Sequence, residues 1–314
     1  MFEPRSGEFR SRRLPGSPAL RTLRPLNTNR HATPCHYLLP MPELPEVESI
    51  VRSLRPLIVG RRIEAARLSH DNILEGVSKA TLLKQLLGRE IRDVTRRAKP
   101  ALVHTDTKTL AVQPGMSGAL LVYDRALTPD EVRYAVLRCT LDDGSMLVYR
   151  DVRRIGTLRW VDAASWAKYS ARLGPEPLDP EFTAEAFAKR LGGSKAAVKK
   201  VLMDQKVVVG VGNIYATEAL FAAGIDPSKP AHRVPPEQLE ALHGHVHRIL
   251  SAAIASEGTS FRDYVNGTGE PGSFQLELYV YGREGEPCRV CGTRLASTQE
   301  IDARGTVFCW RCQR

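Results

Sequence analysis

The stretch "MPELPEVE", residues 41–48, reads like the start of a protein, yet forty residues precede it. From Pro45 onward the pattern is helical: Val47, Ile50, Val51 and Leu54 recur at i, i+3, i+4 and i+7 and form an apolar stripe. Pro45 suits the first helical turn, where no N–H is needed. Glu46 and Glu48 stand where the positive end of the helix dipole favours acids. Pro56 and Gly60 are expected to close the element. Pro42 and Glu43 therefore sit just ahead of a helix N-terminus.

The residues ahead of Met41 are of another kind. They hold seven Arg, no Lys, two Glu and six Pro, for a net charge of +5, with no sustained periodicity. They fit a basic disordered arm, a transit-type segment, or upstream sequence translated from a misplaced start, and they lack the apolar stretch of a secretory signal. The misplaced start is the preferred expectation, so residues 1–41 are a leader, absent or removed. The whole chain has 314 residues, a net charge of +10, a pI near 9.5 and 42% apolar residues. These fit a globular protein with a polyanionic partner, of which nucleic acid is the commonest. No apolar run approaches the roughly 18 residues a membrane span needs.

Downstream of the first helix, residues 61–161 read as strand-rich. "RRIEAARL", "GREIRDVTRR", "ALVHT", "LAVQPGMSGALLVY", "RYAVLRCTL", "SMLVYRD" and "GTLRWV" are short strands split by turn residues, with "LDDGSM" a hairpin turn, which predicts a sandwich or barrel. After "LGPEPL", residues 173–178, the period turns helical. "TAEAFAKRL", "KAAVKKVLMD", "NIYATEALFAAG" and "PEQLEALHGHVHRILSAAIASEG" predict four helices, with Gly224 as a C-cap. Between the second and third lies "GVGN", residues 210–213. Its glycines allow close backbone approach, and the free N–H groups at a helix start can take a phosphate, although such a turn is more often only a tight turn. The six-position dinucleotide fingerprint is missing.

The six cysteines divide into isolated Cys35 and Cys139 and the doublets Cys288-x2-Cys291 and Cys309-x2-Cys312, with 17 residues between the doublets. This distribution argues against a disulfide framework and for a reducing, cytoplasmic setting with one metal site. Four thiolates close a tetrahedral zinc site with no open position, so the expected cofactor is one structural zinc on a two-hairpin ribbon. Chance doublets or a redox pair are the alternatives. Around it stand Arg283, Arg289, Arg294, Arg304, Arg311 and Arg314, which suit a phosphate backbone or a plain solvated surface.

Taken in order, the motifs resemble one family. "PELPEVE" (42–48), "RRAKPALV" (96–103), "GMSG" (115–118), "DVRRIG" (151–156), "LGPEPL" (173–178), "LMDQKVVVGVGNIYATEALFAAGIDP" (202–227), "YVYGREGEPCRVCGT" and the closing "CWRC" are similar to the formamidopyrimidine-DNA glycosylases, of the family shared with endonuclease VIII. The resemblance covers residues 41–314. It implies an α+β multidomain fold: an N-terminal catalytic β-sandwich with flanking helices over 42–172, a helix–two-turn–helix DNA-binding domain over 173–266, and a lesion loop and four-cysteine zinc finger over 267–314. It implies a bifunctional glycosylase/AP lyase that excises 8-oxoguanine and formamidopyrimidines through an imine with an N-terminal proline, followed by β,δ-elimination. The partner would be double-stranded DNA containing oxidised bases or abasic sites, met by a monomer with no membrane association.

By the same resemblance Pro42 is the nucleophile, Glu43 the general acid/base at the sugar with Glu46 supporting it, and Lys99 the hairpin lysine that contacts phosphate and assists β-elimination. Met116 and Arg153 fill the void left by the flipped base, with Arg153 reading the orphaned cytosine. Lys199 and Asn213 are phosphate ligands, and Arg304 is the zinc-ribbon arginine credited with δ-elimination. Four departures bear on lesion preference and affinity. Ile155 stands where the family has Phe. Gln113 and Pro114 replace His-Leu before Gly-Met-Ser-Gly. Tyr134 stands for a DNA-contacting His, and Ser194, with Lys195 beside it, for a DNA-contacting Lys. An α-amine titrates near 8 against about 10.4 for lysine, so a free Pro42 amine is a usable nucleophile at neutral pH. In a chain that keeps its leader the same nitrogen is an amide and cannot attack. The runner-up expectations are an endonuclease VIII-like preference for oxidised pyrimidines and, with Pro42 internal, a non-catalytic lesion-binding protein.

Overall fold

The computed structural model describes residues 41–261 and 264–314; the expectation placed on the leader falls outside the described residues. Helix α1 (Leu44–Ile58) opens the fold and buries the expected stripe, with Val47, Ile50 and Leu54 at 0% exposure. It does not stop at Pro56, which lies inside its last turn; Val59 is the C-cap and donates its N–H to Arg55 O at 3.2 Å. A mid-helix proline costs about 3 kcal/mol. In a last turn it removes only one bond, and buried Ile58 returns about 1.5–3 kcal/mol.

The strand-rich part then runs β1 (Ile63–Leu68), β2 (Leu74–Glu75), α2 (Lys79–Leu86), β3 (Ile91–Arg96), β4 (Ala101–Thr105), β5 (Thr109–Gln113), β6 (Gly118–Tyr123), α3 (Pro129–Tyr134), β7 (Ala135–Leu141), β8 (Met146–Asp151) and β9 (Thr157–Val161). Two sheets form, in the orders β2-β9-β5-β4-β3 and β1-β7-β8-β6, antiparallel except for the short β2–β9 pair. Both sheets and α1 share one apolar core, which makes the sandwich expected from the sequence. The single run "LAVQPGMSGALLVY" is two strands, because Pro114 cannot donate to a ladder and a loop over 114–117 separates β5 from β6. The hairpin at "LDDGSM" closes with Gly144 at φ +83° and Leu141 N–H on Ser145 O at 2.8 Å.

The helical part follows: α4 (Ala163–Ser170), α5 (Ala184–Gly192), α6 (Val198–Leu202), α7 (Asn213–Ala222) and α8 (Pro236–Ala255). The four expected helices are α5 to α8, with α6 shorter than its pattern; α2, α3 and α4, of six to eight residues each, were not expected. Gly224 sits at φ +68° just past the C-cap of α7, where a left-handed residue lets Gly224 and Ile225 N–H groups reach the last carbonyls. A second core joins α5 to α8 with Phe274, Leu278 and Tyr281, and it takes in Leu44, so α1 begins in one core and continues in the other. The chain ends in a ribbon whose β10 (Ala296–Thr298) and β11 (Thr306–Phe308) pair antiparallel. The first of its two expected hairpins is reduced to one bridge, Pro287 to Arg294. Among the described residues no helix is long and apolar enough to cross a membrane.

Candidate active site

The "GVGN" turn meets the start of α1. Gly210 sits at φ +80° with its O accepting from Leu44 N–H at 3.0 Å, and a Cβ there would lie 2.6 Å from Leu44 Cβ. At Gly212 a Cβ would lie 2.4 Å from Glu43 Cδ. Both glycines are therefore required by close approach. The anion at the start of α7 is internal: Glu43 Oε2 accepts from Gly212 N–H at 2.6 Å and Oε1 from Ile214 N–H at 2.9 Å. This corrects the view of the turn as a phosphate cradle, since a carboxylate of the chain itself takes those N–H groups.

Glu46 lies one turn on. Its Oε1 accepts from Tyr215 O–H at 2.5 Å and Thr259 N–H at 2.8 Å, and its Oε2 from Glu43 N–H at 2.9 Å. Both carboxylates are about 2% exposed, and Pro42 is buried beside them. Burial raises the Glu43 pKa, opposed by the Lys99 charge and by backbone N–H donors. Glu46 is pushed up to about 7, by burial first and then by the neighbouring Glu43 charge. Lys99, half-buried at the tip of the β3–β4 hairpin, has its pKa lowered by burial, with Glu43 acting the other way and Arg304 adding to the fall. Four residues from three distant segments thus share one electrostatic environment.

Lys199 and Asn213 form the adjoining junction. Lys199 is fully buried, and its Nζ donates to Asn213 Oδ1 at 2.5 Å and Thr306 Oγ1 at 2.6 Å, with Asp302 Oδ1 at 3.8 Å. Asn213 Nδ2 donates to Gly305 O at 3.1 Å. Both side chains therefore tie α6 and α7 to the β10–β11 turn, which carries exposed Arg304. Burial lowers the Lys199 pKa to about 8.

Met116 and Arg153 lie on two abutting loops, with Arg153 Nη1 3.5 Å from Met116 Sδ. A Cβ at Gly115 would lie 2.6 Å from Ile155 Cγ1, so the glycines of "GMSG" let the loops touch. Asp151, fully buried, joins them. It accepts from Ser117 and Tyr149 hydroxyls and from the N–H groups of Arg153, Ile155 and Gly156. Arg153 and Ile155 point outward, the latter 46% exposed. Tyr134 is half-buried at the end of α3 under the Arg133 guanidinium, and Lys195 is exposed ahead of α6. The sequence offered no reason to single out Tyr215 or Thr259. Asp151 had one available signal, an acid followed within five residues by free turn N–H groups.

The four sulfurs of Cys288, Cys291, Cys309 and Cys312 lie within 4.8 Å of one another, with Cys288–Cys312 at 3.9 Å and Cys291–Cys309 at 3.5 Å. A tetrahedron of thiolates with metal–sulfur bonds of about 2.3 Å has edges of roughly 3.8 Å, so the donors fit zinc. Of the surrounding arginines, Arg283 is bound into the ribbon by Glu286, Tyr279 O and Pro287 O, and Arg289 lies over the Tyr279 ring.

Comparison with known proteins completes the picture. The formamidopyrimidine-DNA glycosylase N-terminal domain matches residues 41–158, the formamidopyrimidine-DNA glycosylase H2TH domain residues 173–265, and the zinc finger found in FPG and IleRS residues 285–314. The chain is 43% identical over 274 residues to the formamidopyrimidine-DNA glycosylase of Stutzerimonas stutzeri, covering 87% of this chain and all of that protein. Among solved structures it is similar to Lactococcus lactis Fpg (MutM) in complex with N7-benzyl-Fapy-dG DNA, with a TM-score of 0.80, 31% identity, and coverage of 87% of this chain and 100% of that one. It is equally similar to MutM in complex with carbocyclic 8-oxo-G DNA, with a TM-score of 0.79, 32% identity and the same coverage. With its sandwich, its paired helical core and its four-cysteine ribbon in this order, the chain belongs to the formamidopyrimidine-DNA glycosylase family.

Proposed function

We propose that this chain, working with Pro42 as its free N-terminus, is a bifunctional DNA glycosylase/AP lyase that excises oxidised purines from duplex DNA. The supporting observation is the convergence of Pro42, Glu43, Glu46 and Lys99 at the start of α1. The Pro42 amine attacks the sugar C1′, the bond to the damaged base breaks, and the base leaves with a proton. The nitrogen gives up its proton, and the C1′–O4′ bond breaks with O4′ taking a proton. The resulting iminium draws electrons from the sugar, so a C2′ proton is lost and the 3′ phosphate departs in β-elimination. Glu43 moves protons at the sugar, and burial raises its pKa above the ordinary carboxylate value. Lys99 meets the phosphate and assists elimination, and exposed Arg304 holds the flanking phosphate for δ-elimination. Lys199 and Asn213 act on phosphate from the junction they build, with Tyr134 and Lys195 along the DNA path. Met116, Arg153 and Ile155 enter the stack as the base leaves it.

Cys288, Cys291, Cys309 and Cys312 would hold one zinc, whose role is to fold the ribbon and so place Arg304. The proposed division is a catalytic sandwich over 42–172, a helical DNA-binding domain over 173–266 and a ribbon domain over 267–314, acting in the cytoplasm, where thiols stay reduced.

The match over 274 residues takes in all of that relative but only 87% of this chain, and the N-terminal domain match begins at residue 41, which supports a start at Met41 followed by its removal. The test is the full chain against a chain starting at Pro42, on duplexes carrying 8-oxoguanine or an oxidised pyrimidine, with borohydride to reduce the iminium. Only the shorter chain should be trapped on DNA, with faster excision of the purine. Trapping by a full chain shown by intact mass to retain residues 1–41 would sink the nucleophile assignment.

A further inference from the structure

The β3–β4 tip that carries Lys99 is held in a conformation its sequence does not favour. Ala98 sits at φ +57°, a left-handed position in which Cβ crowds the following carbonyl oxygen of a non-glycine residue. Something must hold it, and the groups that do so come from the linker "LGPEPL". Glu176 Oε1 accepts from Ala98 N–H at 2.7 Å and Arg97 Nη1 at 2.9 Å, while its Oε2 pairs with Arg96 Nη1 at 2.8 Å. Arg97 also donates to Gly174 O at 2.7 Å and Ser170 Oγ at 3.0 Å. Arg96, with a side chain 9% exposed, donates to Glu48 Oε2 at 3.1 Å and to Ala98 O at 2.8 Å. Every residue leading into Lys99 is thus tied, directly or through an arginine, to one carboxylate.

That carboxylate is itself fixed to the turn that holds Glu43. Gly174 N–H donates to Gln205 O at 2.8 Å and Val209 N–H to Pro175 O at 3.1 Å, and a Cβ at Gly174 would lie 2.8 Å from Val207 C. Gln205 braces the same turn by accepting from Gly210 N–H and donating to Val211 O. The Gly212 N–H of this turn is bound by Glu43. We propose that Glu176 is a positioning residue, fixing Lys99 relative to the Pro42–Glu43 centre by clamping the β3–β4 tip onto the seated linker. This rests on the proposed part of Lys99 in strand elimination.

The experiment uses a chain starting at Pro42, loaded with zinc, on duplex DNA with a preformed abasic site, so that base release is bypassed. Strand cleavage is measured in single turnover for the parent, Glu176→Gln, Lys99→Ala and the double variant. A mispositioned group costs roughly tenfold to a hundredfold, and Glu176→Gln should lose that much. In the Lys99→Ala background it should lose nothing more, since residues acting through one another are not additive. A purely structural role would lower both backgrounds equally. The basic limb of the parent's pH profile should also move to higher pH in Glu176→Gln, because a released Lys99 returns toward its ordinary value. Should Glu176→Gln fold poorly, Arg97→Gln opens the same clamp from the other side and is read in the same cycle. Additive losses, or Glu176→Gln cleaving at the parent rate, overturn the proposal while the parent's borohydride-trapped complex keeps the proposed imine-forming lyase assignment standing. A parent that gives no trapped complex defeats that assignment itself.

Discussion

The C-terminal ribbon and the carboxylate cluster at the start of α1 solve opposite problems. The ribbon brings together four sulfurs within 25 residues around a core of only Phe221, Val280, Cys288, Leu295, Val307 and Cys309. So few apolar side chains do not hold a fold alone, and the four converging thiols are the donor set through which a metal would order so short a loop. The cluster brings Glu43 and Glu46 to partners 169, 171 and 213 residues away, with two large cores behind it. There the fold is secure without the charges, and the hydrogen bonds make tolerable two buried carboxylates whose pKa values are both raised. In one region the chemistry makes the structure; in the other the structure makes the chemistry.

Zinc removal presses hardest on this contrast. Chelation should unfold residues 288–312 and abolish DNA binding, while hydrogen exchange in α1 and the sandwich stays protected. Retained binding by a zinc-free ribbon, shown by elemental analysis, would break the distinction. Next comes Glu43→Gln, which should lower base excision by about 10²–10⁴-fold with the melting temperature nearly kept. Unchanged excision would remove Glu43 from proton transfer.

The abutting loops around Asp151 lie between the two cases, with a local carboxylate hub and outward-facing tips. Arg153→Ala should flatten the preference for C over A opposite the lesion, by about 1–3 kcal/mol for a charged base contact. Ile155→Phe should leave that preference alone and raise single-turnover excision in duplex DNA, because a flat ring fills a vacated stack better than a branched aliphatic. If the first leaves opposite-base choice intact and the second has no effect, these residues do not enter the duplex.

The smallest effect is a pH dependence of stability. Glu46 has a folded pKa of about 7, above its ordinary value of 4.5, so its contribution is complete below that ordinary value and is lost as pH rises through about 7. The melting temperature should fall across this window by on the order of a few degrees, and Glu46→Gln should flatten the slope. A slope unaltered by Glu46→Gln would assign the titration to another group.

Helix α1, the "LDDGSM" hairpin, the Gly224 cap and the four-cysteine ribbon were legible in the sequence because each depends on residues a few positions apart. Periodicity, a left-handed glycine or a ligand spacing carries such information whole. Pro56 was misread because its cost depends on what Ile58 buries two residues later. The same limit governs the site. The cysteines could be named from their spacing, and family resemblance extended the candidate set to Pro42, Glu43, Lys99, Arg153 and Arg304. The identity of the anion at the start of α7 could not be named, nor could the burial of Lys199, the Asp151 hub or the clamp of Glu176 on Ala98. Each of these depends on where a carboxylate or ammonium stands after two cores have packed. Hydrogen bonding and desolvation act over a few ångströms, and only the tertiary structure decides which distant residues come within that reach.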